Sequence, residues 1–152
     1  MPDKEDEETR ERARRDAEEG LSPSSQAGEF VREEMHHIRE GKHGARSTKQ
    51  AIAIGLSKAR RSGVKLTPPR KGKTSARTRR QAKRDLAKGK GGPRRTSPRR
   101  SRAATSALKR EGRSAASPRA LARQARSSAR RRGARARSAA ARRGARTRAR
   151  RG

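Results

Sequence analysis

Arginine is the residue type with which this chain could do most of its chemistry. From position 70 to 152 the sequence holds 32 Lys and Arg against two acids, Asp85 and Glu111. A guanidinium group makes paired hydrogen bonds to phosphate oxygens, and a row of such groups displaces the counterions that surround a nucleic acid. This composition predicts a segment that binds a polyanion electrostatically, with little base specificity.

Neighbouring basic residues are the strongest candidates for phosphate contacts. The sequence Ser97-Pro98-Arg99-Arg100 also resembles the turns of linker-histone tails that suit AT-rich minor grooves, with general phosphate contact as the alternative. The predicted nucleic-acid-binding residues are Arg60, Arg61, Arg70, Lys71, Arg79, Arg80, Arg94, Arg95, Arg99, Arg100, Arg130, Arg131, Arg132, Arg142, Arg143, Arg150 and Arg151.

The histidines are the other residues that could carry chemistry, as metal ligands. The candidate ligands are His36, His37 and His43, with Glu33, Glu34 and Glu40 beside them. A histidine pair on the polar side of a helix is more often solvated or turned toward phosphate, so we predict no metal site and no cofactor. We also predict no catalytic residue and no enzyme, because the chain has no phosphate-loop pattern and too small a core to enclose a dry pocket.

The segment 29–69 contains the residues that could position these groups. Apolar residues at helical spacing predict a hairpin of two helices, at about 29–40 and 48–62, with Glu33 and Glu34 near the start of the first. Ser47 and Gln50 form a capping box, and Gly63 ends the second helix with Val64 packing back. The predicted packing residues are Phe30, Val31, Met35, Ile38, Ile52 and Leu56.

The whole chain has the composition of a disordered protein. Hydrophobic residues make up 26%, charged residues 40%, and the one aromatic residue is a Phe. We therefore expect a mostly disordered chain with all-α elements: an acidic, disordered leader at 1–28, the hairpin at 29–69, and a low-complexity basic tail at 70–152. Transient helices are expected in the tail after a cap at Ser75 or Thr74, and after Ser97 and Ser117. The hairpin should be stable only when it binds nucleic acid or a second copy of itself.

Several classes of protein are excluded by what the sequence lacks. There is no Cys, so disulfides and thiol chemistry are ruled out. The sequence has no apolar run of the kind that forms a secretory signal or a membrane span. We expect a cytoplasmic, nucleoid-associated protein. Basic residues without interleaved aromatic residues argue against a platform on which single-stranded bases stack.

One block of the hairpin resembles a known group of proteins. Lys42-His43-Gly44, followed by Lys49-Gln50-Ala51-Ile52-Ala53-Ile54, resembles a helical block of short, basic, uncharacterised bacterial proteins with a histone-like Arg/Ala/Ser/Pro-rich tail. The resemblance covers about 31–69, and 101–133 in general style. It implies a bacterial origin and a domain followed by a basic tail, and it implies no mechanism.

The charge distribution predicts the function. Residues 1–20 have a net charge of −4 and residues 41–152 a net charge of +37, an asymmetry typical of nucleic-acid-binding proteins. We expect a histone-like, nucleoid-associated protein that binds and condenses DNA non-specifically, and that could self-associate through the hairpin. Two alternatives stay open: an RNA-binding or ribosome-associated protein, and an adaptor whose hairpin binds a protein partner.

Overall fold

The computed structural model describes residues 3–91 and 95–152, and helices make up most of this part of the chain. The elements are α1 (Lys4–Glu18), α2 (Pro23–Arg39), α3 (Thr48–Arg61), α4 (Ala76–Lys90), α5 (Pro98–Lys109), a 3₁₀ turn (Ser114–Ala116) and α6 (Pro118–Arg151). Gly133, with φ 75°, interrupts α6. The chain divides into two units, Met1–Ala116 and Ser117–Gly152, and this boundary differs from the expected ones at 28 and 69.

The prediction of a mostly disordered chain is wrong. The acidic leader forms α1, which packs on α2 through buried Ala13 and an ion pair of 2.9 Å from Arg12 Nε to Glu29 Oε2. The tail contributes α4, which packs on α3. Helices that are adjacent in the chain therefore pack against each other: α1 on α2, α2 on α3 and α3 on α4.

Small residues explain why the composition predicted disorder although the chain is mostly helical. Much of the buried apolar surface belongs to alanine, including Ala27, Ala51, Ala59 and Ala116, each 0% exposed. Alanine has the highest helix propensity and loses no side-chain freedom on burial, so an alanine core needs less apolar area to be stable. A count of large apolar residues alone therefore underestimates this core.

The two helices of the expected hairpin are present as α2 and α3. Helix α2 begins earlier than expected, at Pro23, after an N-cap at Ser22. The Ser47 hydroxyl oxygen accepts a hydrogen bond of 3.1 Å from the Gln50 backbone N–H, as the capping box predicts. Gly63 has φ 99°, and Val64 behind it is buried. Of the predicted packing residues, Phe30, Met35 and Ile38 are buried, and Val31, Ile52 and Leu56 are half-buried.

The loop between α2 and α3 is held by the residues around the end of α5. The backbone N–H of Gly44 donates to the Leu108 carbonyl at 2.8 Å, and the N–H of Ala45 donates to the Gly112 carbonyl at 3.1 Å. The Thr48 hydroxyl donates to the Ala115 carbonyl at 2.6 Å. These bonds fix the loop that carries His43. Among the residues described, no helix is both long enough and apolar enough to cross a membrane.

Candidate functional site

Helix α6 has one face of regularly spaced arginines. It contains 14 Arg and no acidic residue. Arg119, Arg123, Arg126 and Arg130 recur at intervals of three and four residues and are exposed, so they share one side of the helix. We call these four residues the α6 arginine face; at 1.5 Å per residue it extends for about 16 Å. Arg130 was predicted, and the other three could have been found from this spacing.

Helix α4 has a second face of this kind. Arg77, Arg80, Arg84 and Lys88 are exposed at the same helical spacing, and we call them the α4 cationic face. On another side of the helix, buried Ala82 faces the protein interior. Only Arg80 was predicted among the four. The predicted residues were mostly adjacent basic pairs, whereas a helix aligns residues that are three or four apart.

Most of the predicted phosphate-binding residues are at the surface. Arg61, Arg70, Lys71, Arg80, Arg95, Arg99, Arg100, Arg130, Arg131, Arg132, Arg142, Arg143, Arg150 and Arg151 are exposed, Arg79 is half-exposed, and Arg94 lies outside the described residues.

Arg60 is the exception among these residues. It is only 6% exposed, and its Nε donates to the Leu66 carbonyl at 3.1 Å while Nη2 lies 3.5 Å from the Thr67 carbonyl oxygen. Burial lowers the pKa of Arg60, and the negative charge of Asp85 opposes this shift. Arg60 therefore holds the chain segment after α3 in place, and little of its side chain is exposed for a phosphate contact.

The first unit also encloses a group of ionisable side chains, Glu33, Glu34, His37, His43 and Lys58, which we call the buried polar cluster. Lys58 Nζ lies 2.5 Å from Glu34 Oε1 and 3.6 Å from Glu33 Oε2. His43 Nε2 lies 3.1 Å from Glu34 Oε2. Both glutamates are almost fully buried. They lie well inside α2 rather than near its start, because the helix begins at Pro23.

Helix α1 adds carboxylates to one side of the cluster. Asp6 Oδ1 lies 3.7 Å from Lys58 Nζ, and Glu5 Oε2 lies 2.9 Å from His37 Nε2. Glu5 also bonds Lys42, and the hydrogen bonds from Lys42 and His37 lower the pKa of Glu5. The acidic leader thus contacts the cluster, a role that nothing local in its sequence indicates.

Burial and charge act in opposite directions inside the cluster. Burial raises the pKa of Glu33, and the nearby Lys58 ammonium opposes the shift without cancelling it. Burial alone would lower the pKa of Lys58, but the carboxylates of Glu34 and Glu33 outweigh it and raise that pKa overall. The ammonium of Lys58 is therefore held in its charged form by the glutamates around it.

These features define an all-α protein whose first unit encloses charged side chains and whose helices α4 and α6 carry exposed cationic faces. A protein family described as a family of unknown function, DUF6496, matches residues 23–71. The matched segment contains α2, α3 and all five residues of the buried polar cluster, and it contains neither cationic face. No curated protein matches the chain, and no solved structure matches it.

Proposed function

We propose that the protein binds nucleic acid non-specifically through the α6 arginine face and the α4 cationic face, with DNA as its main partner. The observation that carries the proposal is the exposure of Arg119, Arg123, Arg126 and Arg130 on one side of a helix that has no acidic residue. A row of about 16 Å matches roughly five base pairs of duplex at 3.4 Å each. Such a row can contact several consecutive phosphates at once.

The chemistry of these faces favours contact with phosphates over contact with bases. Arginine pairs with phosphate oxygens in a two-point geometry, and the release of counterions supplies most of the binding free energy of such proteins. Aromatic side chains on which bases could stack are missing from α4 and α6. With 32 Lys and Arg from position 70 to 152, one molecule has enough charge to contact more than one DNA segment, so we expect condensation at high occupancy and association with the nucleoid.

The test is the salt dependence of duplex-DNA affinity for the full-length protein. If 6–10 phosphates are contacted, the affinity should fall about 10³–10⁵-fold between 50 and 200 mM salt. Replacing the α6 arginine face with glutamine should reduce the slope of log affinity against log salt by roughly 0.9 for each phosphate that is no longer neutralised. Glutamine has a helix propensity close to that of arginine, so the helix should persist.

The matched control removes the same amount of charge elsewhere. Lys4, Arg10, Arg14 and Arg15 are exposed residues of α1, among acidic neighbours, and replacing them with glutamine should leave the slope unchanged. Equal weakening by the two quadruple variants would show that net charge alone matters and would overturn the proposed interface. Tighter binding to a structured RNA of equal length at the same salt would favour the RNA alternative.

A further inference from the structure

The α2–α3 loop brings three residues of the buried polar cluster together in the manner of a metal site. Glu34 and His37 are one helical turn apart on α2, and His43 comes from the loop. One potential ligand atom from each of the three lies within 4.8 Å of the others. We propose that Glu34, His37 and His43 bind a transition-metal ion of the Zn²⁺ type, at a site separate from the cationic faces.

The distance between the Glu34 and His43 ligand atoms suits a zinc ion. Glu34 Oε2 and His43 Nε2 are 3.1 Å apart. A tetrahedral zinc ion with bonds of about 2.0–2.1 Å holds neighbouring ligand atoms about 3.3 Å from each other. A zinc ion can therefore be accommodated between these two atoms with only a small adjustment of their side chains.

Hydrogen bonds already orient both histidines. His43 Nδ1 lies 3.0 Å from the Gly44 carbonyl oxygen, which can only accept, so Nδ1 carries a proton and Nε2 is the nitrogen that meets Glu34. The Glu5 carboxylate lies 2.9 Å from His37 Nε2. A carbonyl behind one histidine and a carboxylate behind the other are the partners that usually orient metal-binding imidazoles.

The buried Glu34 carboxylate has one oxygen that can bind a second positive partner. It is 0% exposed, and within the described part of the chain no donor reaches its Oε2 in hydrogen-bond geometry. Lys58 is next to Oε1, which leaves Oε2 for a second positive partner. A metal ion between Glu34 Oε2 and His43 Nε2 would accept a lone pair from each of the two atoms.

The charges around the site also favour a cation. Carboxylates outnumber cationic groups here. The carboxylates are those of Glu5, Asp6, Glu8, Glu33, Glu34 and Glu40, and the cations are Lys42, Lys58, Arg12 and Arg32. A divalent ion reduces this excess of negative charge. Two imidazoles with one carboxylate suit Zn²⁺, Co²⁺ or Ni²⁺ better than Mg²⁺ or Ca²⁺, which prefer oxygen ligands throughout.

The experiment measures Zn²⁺ affinity of the full-length protein, without a histidine tag, by competition with a chromophoric chelator. We expect one ion per chain. His37→Ala and His43→Ala should each weaken binding at least about 100-fold, and Glu5→Gln, which removes an orienting carboxylate, by about 10-fold. His36→Ala is the matched control, because His36 is next to His37 but exposed and outside the three-residue group, and it should change the affinity less than 2-fold.

A second measurement does not depend on how the variants fold. X-ray absorption of the zinc-loaded wild-type protein should show two imidazole ligands. Co²⁺ should give the intense visible absorption of a four-coordinate site. A zinc shell made of oxygen atoms alone, or equal weakening by His36→Ala and His37→Ala, would overturn the assignment. Failure of the wild-type protein to bind Zn²⁺ in competition with the chelator would also overturn the assignment. DNA affinity is measured in a separate experiment, so the metal site and the nucleic-acid interface can fail independently.

Discussion

Gly89 of α4 lies directly against the backbone carbonyl of Arg60 in α3. A Cβ atom built on Gly89 would be 2.0 Å from the Arg60 oxygen and 3.2 Å from the Gly63 nitrogen. Helix α4 thus crosses the last turn of α3 at a distance that only glycine allows. This contact lets the buried face of α4 pack on the rest of the unit. That face includes Ala82 and Asp85.

Replacing Gly89 with alanine should push α4 away from α3. We expect Gly89→Ala to lower the free energy of unfolding by about 1–3 kcal/mol, since backbone atoms cannot move aside as a flexible side chain can. Urea denaturation followed by far-UV circular dichroism measures the change. Gly28→Ala is the control: Gly28 is exposed within α2 with open space around it, so alanine there should stabilise the protein by roughly 0.5–1 kcal/mol.

A second close helix contact depends on Gly55 of α3. A Cβ at this position would lie 2.7 Å from the Cα atom of Val31 in α2. We expect Gly55→Ala to separate α2 from α3 and to destabilise the protein by about 1–3 kcal/mol. The same denaturation experiment tests it, and a variant as stable as the wild type would mean that the two helices can move apart at no cost in stability.

Arg60 should affect stability rather than nucleic-acid binding. In Arg60→Ala the carbonyls of Leu66 and Thr67 lose their side-chain donor, which should lower the free energy of unfolding by about 1–3 kcal/mol. Arg70→Ala, at an exposed position, should change stability by less than about 0.5 kcal/mol. At matched salt and a temperature where both variants are folded, Arg60→Ala should keep wild-type DNA affinity. A reduced affinity would mean that Arg60 contacts phosphate after all.

Lys58 is the counter-charge of two buried carboxylates. Lys58→Met should remove this charge while keeping much of the side-chain volume. We expect the variant to be destabilised by roughly 3–5 kcal/mol, because Glu33 and Glu34 would be left buried with less positive charge nearby. Lys49→Met, at an exposed position of the same helix, should have little effect. Thermal unfolding of the two variants at neutral pH compares them, and equal melting temperatures would contradict this account of the cluster.

The α4 cationic face should contribute to DNA binding independently of α6. Replacing Arg80 and Arg84 with glutamine should reduce the salt slope by up to about 1.8, or 0.9 for each phosphate contact. Combined with the α6 variant, the two reductions should add if the two faces contact different phosphates. Fluorescence anisotropy with labelled duplex over a salt series measures both. An unchanged slope would restrict the interface to α6.

Local features of this chain were predictable from sequence because they depend on neighbouring residues. Ser47, Ser75 and Ser117 begin helices as expected, since each hydroxyl accepts from a backbone N–H three residues ahead. Gly63 ends α3 because a left-handed conformation strains other residues. The surface position of most arginines also follows from sequence, because a charged group is rarely buried without a partner.

The tertiary structure decided which segments pack and which ionisable groups meet. The α1 helix has no apolar stripe of its own, yet Ala13 and Thr9 are buried against its neighbours. Nothing local indicates that Arg60 is buried or that Glu34 and His43 are in contact. Each of these contacts joins residues on the two sides of a helix end. Their free energy depends on how the chain turns there and on how closely alanine and glycine let the helices approach. That distance is a property of the assembled fold, which composition alone does not contain.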